Sequence, residues 1–208
     1  MRILITAGPT YEPIDPVRFI GNRSSGRMGS AIAAAGLGAG HCVTVIAGPI
    51  TVELPPGARR IDVETAAQMH EAVVAEFPRH ELLIMAAAVA DYRPRAKHPE
   101  KMSREGVLVI ECEATKDIVA AAAESRRPDQ RVVGFSLEAE GNLDRAREKL
   151  QRKQLDLIVY NPINTMNSRE VRAFLLWADG RSQDVPAIAK EKFAKLLIER
   201  TTELFANR

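Results

Sequence analysis

Short aliphatic runs alternate along the chain with longer segments whose apolar residues recur every three or four positions. The runs are RILIT (2–6), CVTVIA (42–47), ELLIMA (81–86), VVGFS (132–136) and LDLIVY (155–160). The segments between them predict helices at about 25–37, 66–77, 116–124 and 143–152. This alternation predicts an α/β fold around a parallel sheet. Strands so uniformly apolar are covered by helices on both faces. The expected architecture is therefore a Rossmann-like, doubly wound parallel sheet of five strands, linked by four right-handed crossovers. The tail reads differently: REVRAFLLWADGRSQDVPA (169–187) predicts a strand, a turn at Asp179-Gly180 and a second strand. An amphipathic helix from Ile188 to Phe205 follows, so the fold gains a C-terminal β-hairpin extension and a final helix. With 208 residues the chain can bury one good core. It is expected to form a single domain over 1–208, with a nucleotide-binding α/β core (1–165) and the hairpin and helix (166–208).

Charge narrows the range of partners. Lys and Arg number 29 against 27 Asp and Glu, so no global field calls for nucleic acid or an anionic membrane. An anionic ligand must be met by a local cluster. The longest apolar run, LLIMAAAVA (82–90), is far short of the roughly 20 residues needed to cross a bilayer. The opening MRILITAGPT reads as a strand and its turn and lacks the apolar core of a secretory signal, which makes the cytoplasm the expected location. Cys42 and Cys112, in separate strand-like segments, are expected to be reduced and buried.

Two stretches carry candidate chemistry. GNRSSGRMG (21–29) has the glycine gap of a phosphate loop, but Arg27 and Met28 stand where that loop needs Lys and then Ser or Thr. The end of the first strand is also too far from Gly21, because a P-loop turns directly from strand to helix. What remains is Ser24-Ser25-Gly26 entering a helix with small residues at Gly29, Ala33 and Gly36. Hydroxyls and amides at a helix start suit an anion, although the same residues also serve as a plain N-cap above close helix packing. Asn22 beside them offers two donors and two acceptor lone pairs. The second stretch, DYRPRAKHPEKMSREG (91–106), has five Lys or Arg with two prolines, which predicts a mobile surface loop. It follows a central strand at the edge where open α/β sheets bind ligands. Dinucleotide chemistry fits less well. No G-x-G-x-x-G follows the first strand, no carboxylate ends the second, and Tyr11, Tyr92 and Tyr160 have Asp15, Ala96 and Asn164 four positions on, where a Tyr-x-x-x-Lys pair needs Lys. An NAD(P)-linked reductase is thus the weaker enzyme class.

Several segments together resemble one family. TAGPTYEPIDPVRFIGNRSSGRMG, AAAVADYRP with the later PEK, VVGF and AREKLQRKQLDLIVYN occur in the order and spacing of phosphopantothenoylcysteine synthetase, the second activity of the bifunctional coenzyme A biosynthesis protein of bacteria. The resemblance implies a ligase that joins 4'-phosphopantothenate to cysteine. It implies that CTP, as co-substrate, activates the carboxylate as an acyl-cytidylate, that Mg2+ assists at the triphosphate, and that a homodimer shares each active site. A flavin-dependent decarboxylase, fused or separate, is implied as a partner; an ATP-dependent variant is the nearest alternative.

Residue by residue, the resemblance gives Asn22 contact with the activated carboxyl and Lys101 the neutralisation of departing pyrophosphate. It implies that Arg18 reaches substrate across the dimer and that Ser24, Ser25, Gly26, Ala87 and Ala88 complete substrate binding. For the nucleotide it points to Met85, Ala86, Ala87, Asp91, Lys101, Lys116, Asp117, Ile118, Val119, Phe135, Lys149 and Lys153, with Asp91 also at the metal. Lys149 and Lys153, four apart on a predicted helix, share a face. Two departures stand out. Lys101-Met102-Ser103-Arg104 replaces K-x-K-K in the flap, and Thr115-Lys116-Asp117 replaces Asn-Pro-Asp beside the expected base pocket.

Overall fold

The computed structural model describes residues 1–104, 106–138, 143–162 and 168–206. In chain order the elements are β1 (Arg2–Ala7), β2 (Tyr11–Pro13), β3 (Phe19–Gly21), α1 (Arg27–Gly38), β4 (Cys42–Ala47), β5 (Arg59–Asp62) and α2 (Ala66–Glu76). They continue with β6 (Leu82–Met85), β7 (Tyr92–Pro94), β8 (Cys112–Ala114), α3 (Ile118–Ser125), β9 (Arg131–Glu138), α4 (Leu143–Arg152) and β10 (Leu157–Pro162). The chain closes with β11 (Glu170–Trp177), β12 (Ser182–Ala189) and α5 (Lys190–Glu203).

One sheet carries the order β12-β11-β10-β9-β6-β1-β4-β5. The strands from β10 to β5 are parallel, and β11 and β12 add antiparallel at one edge. Numbered by themselves, the parallel strands run 3-2-1-4-5-6, the doubly wound order that reverses between β1 and β6. Alternate side chains serve opposite faces. Ile3 and Ile5 meet α1 and α5, which bury Ile32, Ala33, Phe193 and Leu197 there. Leu4 and Ile46 face α2, α3 and α4 through Met69, Ile118, Ala122 and Leu150. Gly29, Ala33 and Gly36 are buried along α1, as the small-residue pattern predicts. The Asp179-Gly180 turn also forms as expected, with Gly180 at φ 90° between β11 and β12.

Other expectations need correction. β5 is an additional parallel strand that apolar pattern could not find, because RRID is an exposed edge segment of mostly charged residues. Two small ribbons were also missed, β2 with β3 and β7 with β8. The second ribbon means that the basic insert is not a free loop: it opens as β7 and pairs Tyr92 with Ala114 and Pro94 with Cys112. Ser25 and Lys116 precede their helices instead of belonging to them, and Ile188 belongs to β12. Both cysteines are exposed, not buried, since Cys42 opens β4 at the amino edge of the sheet and Cys112 opens β8 in the outer ribbon. Asn164 and the 165/166 boundary lie outside the described residues.

Candidate active-site cleft

A cleft of about 1250 Å³ opens over the carboxyl ends of the parallel strands. Its floor is the 85–89 segment leaving β6. Threonines and backbone hold that segment from below. Thr6 Oγ1 accepts from Ala87 N–H at 3.2 Å, Thr10 Oγ1 from Ala90 N–H at 2.9 Å, and Gly8 O from Ala88 N–H at 2.8 Å. Gly8 sits at φ 83°, a conformation glycine adopts without cost to a Cβ.

Asn22 follows β3 and leans over this floor. Its Nδ2 donates to Ala88 O at 2.9 Å and to Val89 O at 3.1 Å. Both amide hydrogens are thus engaged by the protein, so the expected pair of donors is not free for a ligand, and Oδ1 is the remaining polar atom. Ser24 and Ser25 line the cleft, but the hydroxyl N-cap does not form. Gly26 caps α1 in a left-handed conformation (φ 83°) with no side-chain cap, and Ser24 Oγ accepts from Gly26 N–H at 3.4 Å. Gly26 is buried beneath the loop and does not line the cleft.

The opposite wall comes from the α3–α4 side. Asp117 caps α3 by accepting from Ala120 N–H at 3.2 Å, and it pairs with Lys153 at 2.9 Å. Lys149 pairs with Glu138 and donates to Ser136 Oγ at 3.2 Å. Burial works to raise the Glu138 carboxyl, but Lys149, Ser136 and Arg145 outweigh it and hold the group below the usual carboxylate range. Met85, Ala86, Ala87, Ala88, Asp91, Lys116, Ile118, Val119 and Phe135 line the same cleft. The shared face expected for Lys149 and Lys153 is therefore real, though each lysine has a carboxylate neighbour.

Arg18 and Lys101 are not brought to the cleft by their own chain. Arg18 donates to Asp15 at 2.6 Å and to Met102 O at 3.2 and 3.3 Å. Asp15 also accepts from the backbone of Val17, Arg18 and Met102. Burial alone would raise Asp15, but those donors and the Arg18 guanidinium bring it down to about 2. The flap is thereby pinned onto the 14–18 turn, and His98 N–H adds a bond to Ile14 O at 2.8 Å. Lys101 stands exposed beside this latch.

The structure also adds lining residues that sequence reasoning did not select: Arg23, Arg27, Arg152, Asn161 and Lys190. Arg152 was available as a third cation on the α4 stripe, whereas Lys190 had no local signal. Asp91 and Asp117 are the carboxylates among the cleft residues, and no group of three metal-ligating side chains occurs among the described residues. That set fits Mg2+ carried on substrate phosphates with one or two protein carboxylates, since Mg2+ keeps several of its ligands as water and phosphate.

A family model, the DNA/pantothenate metabolism flavoprotein C-terminal domain, matches residues 1–204. The chain belongs to this family. It is 42% identical over 207 residues to the coenzyme A biosynthesis bifunctional protein CoaBC of Escherichia coli K12, covering 96% of this chain and 51% of that protein. The corresponding protein of Bacillus subtilis is 37% identical over 194 residues, 90% of this chain and 48% of the relative. Thus the flavoprotein C-terminal domain seen here spans about half the length of these curated relatives. A crystal structure of the C-terminal domain of CoaBC superposes with a TM-score of 0.87 at 34% identity, covering all of this chain and 96% of that one.

Proposed function

We propose that the chain is a phosphopantothenate-cysteine ligase acting in coenzyme A biosynthesis, with CTP as the activating co-substrate. One observation carries the reading: Asn22, bound to the 88–89 carbonyls, and the Lys149–Lys153 stripe face one cleft at the switch point of the sheet. In the first step the acid carboxylate attacks the α-phosphorus of CTP; a P–O bond forms, the bond to the β-phosphate bridging oxygen breaks, and pyrophosphate leaves. In the second step cysteine nitrogen attacks the acyl carbon and a C–N bond forms; the bond from that carbon to the bridging oxygen breaks, CMP leaves with that oxygen and the bonding electron pair, and the amine loses a proton. Lys149, Lys153 and Lys116 supply charge for the triphosphate, Phe135 a wall for the base, and Ala86–Ala88 close backbone approach. Asn22 positions the 88–89 carbonyls and offers Oδ1 to the incoming amine. Asp91 would hold Mg2+, which supplies charge neutralisation at the phosphates.

A cytoplasmic homodimer completes the proposal. Val17, Phe19, Tyr92, Val107 and Val109 leave the two ribbons and the flap with exposed apolar surface, 90% for Val107. A second copy seated there would bring its Arg18 and Lys101 to the cleft that the chain's own copies do not line. The curated relatives are called bifunctional and are about twice as long, which supports a second activity beside this one; a decarboxylase, fused or separate, is the partner proposed. The test is CTP with phosphopantothenate, with and without cysteine, reading CMP and pyrophosphate. ATP runs alongside, because Lys116 lies in the cleft where the family pattern has proline. Turnover with CTP above ATP supports the proposal; none with any nucleoside triphosphate rejects it. Lys101→Gln should slow activation with the fold intact by circular dichroism, and light scattering reads the dimer.

A further inference from the structure

Four of the cations that line the cleft form two pairs on opposite faces of the sheet. Lys149 and Lys153 lie on the face covered by α3 and α4, and each has a carboxylate partner. Arg27 and Lys190 open α1 and α5, the two helices packed together on the other face. Both line the cleft, and among the described residues neither forms an ion pair. They are also near enough to disfavour each other's charge. Lys190 is held below the usual lysine range first by burial and then by Arg27, with only its neighbour Glu191 acting the other way. Two neighbouring cations with only Glu191 acting against their repulsion are a favourable place for an anion that joins them. Met28, Leu137 and Val171 give this arm of the cleft apolar walls.

We propose that Arg27 and Lys190 bind the terminal phosphomonoester of the acid substrate, so that the acid lies across the strand ends with its carboxyl toward Asn22 and the nucleotide. This rests on the ligase reading. A phosphomonoester carries a charge of about −1.5 to −2 at neutral pH, which two neighbouring cations match. Arg27 suits two oxygens through its planar fork, and Lys190 adds a point charge. The arm would then select phosphorylated over unphosphorylated acid without touching the nucleotide.

The test compares Arg27→Gln, Lys190→Gln and the double variant with the wild-type protein. The expected result is a rise in KM for phosphopantothenate of ~10-fold or more for each single change and ~100-fold or more for the pair, with CTP affinity by calorimetry changed less than ~3-fold. The wild type's preference for phosphopantothenate over pantothenate should collapse in the double variant, and Arg27→Lys should restore part of it. Unchanged KM, or an equal loss of CTP affinity, overturns the assignment. If the wild type shows no turnover, the ligase reading fails separately, and calorimetry with phosphopantothenate decides this inference: binding lost in the double variant supports it, and binding retained overturns it. Circular dichroism melts identify any variant whose loss is one of folding, and Arg27→Lys against Arg27→Met then replaces it as the deciding pair.

Discussion

Gly29→Ala sets two effects of opposite sign against each other at the base of the cleft. Gly29 lies in the first turn of α1, buried against β1. An added Cβ would collide with Ala7 Cβ and stand 3.1 Å from Ala7 Cα and 3.4 Å from Thr6 O. Carbon atoms pack best at about 3.5–4.0 Å, and neither partner can rotate away because both are fixed to backbone. The helix must lift off the sheet. Overpacking of this kind costs about 1–3 kcal/mol, and a backbone collision belongs at the upper end. Replacing glycine inside a helix returns about 1 kcal/mol. The net expectation is a loss of about 2 kcal/mol. For a chain of this size 1 kcal/mol shifts Tm by about 2–4 °C, so Tm should fall by roughly 4–8 °C. Gly38→Ala in the same helix is the control, since nothing lies within 4 Å of its added Cβ. It should hold or raise Tm. Because Arg27 and Met28 in the same turn line the cleft, substrate KM should rise with the loss of stability. Thermal melts by circular dichroism measure both variants. A Gly29→Ala protein as stable as wild type would refute the close-packing argument and show that α1 has room to move.

Three further outcomes are expected. Asn22→Asp replaces two donors facing the Ala88 and Val89 carbonyls with acceptors; a loss of ~1–3 kcal/mol should cut kcat/KM by ~10–100-fold, while CTP affinity by calorimetry falls less, and equal losses would contradict the placement. Lys149→Met removes a charge from the α4 wall and should raise the KM for nucleotide by ~10–100-fold, read in initial-rate assays at saturating acid. Asp15 titrates near 2 against an ordinary 3.8, so its contribution to stability is complete above about pH 4 and disappears as pH falls through about 2. Asp15→Asn should therefore flatten the acid limb of the stability curve between those values, and an unchanged slope in acid denaturation would show that the latch does not hold the flap.

Amino-acid pattern alone determined the elements that bury apolar residues. β1, β4 and β6 are mainly apolar on both faces, β9 and β10 carry the apolar runs VVGF and LIVY, and α1 carries Gly29, Ala33 and Gly36 at helical spacing, so local composition specifies them without knowledge of their neighbours. The Asn22 loop and the Lys149–Lys153 stripe are visible in a few consecutive residues, but their roles came from the family resemblance, because taken alone they read equally as a helix cap and a solvated stripe. Tertiary structure decided what depends on partners far away in the chain. The exposed edge strand β5 forms because β4 offers an unpaired edge, and the β7–β8 ribbon closes across residues 95–111, beyond the reach of local pattern. Asn22 has its donors engaged only because β6 ends beneath it. Arg18 is turned to the flap by Asp15, and Lys190 reaches the cleft only because α5 packs on α1. A side chain's chemistry is set by residue type, but its direction and its neighbours' charges are set by packing.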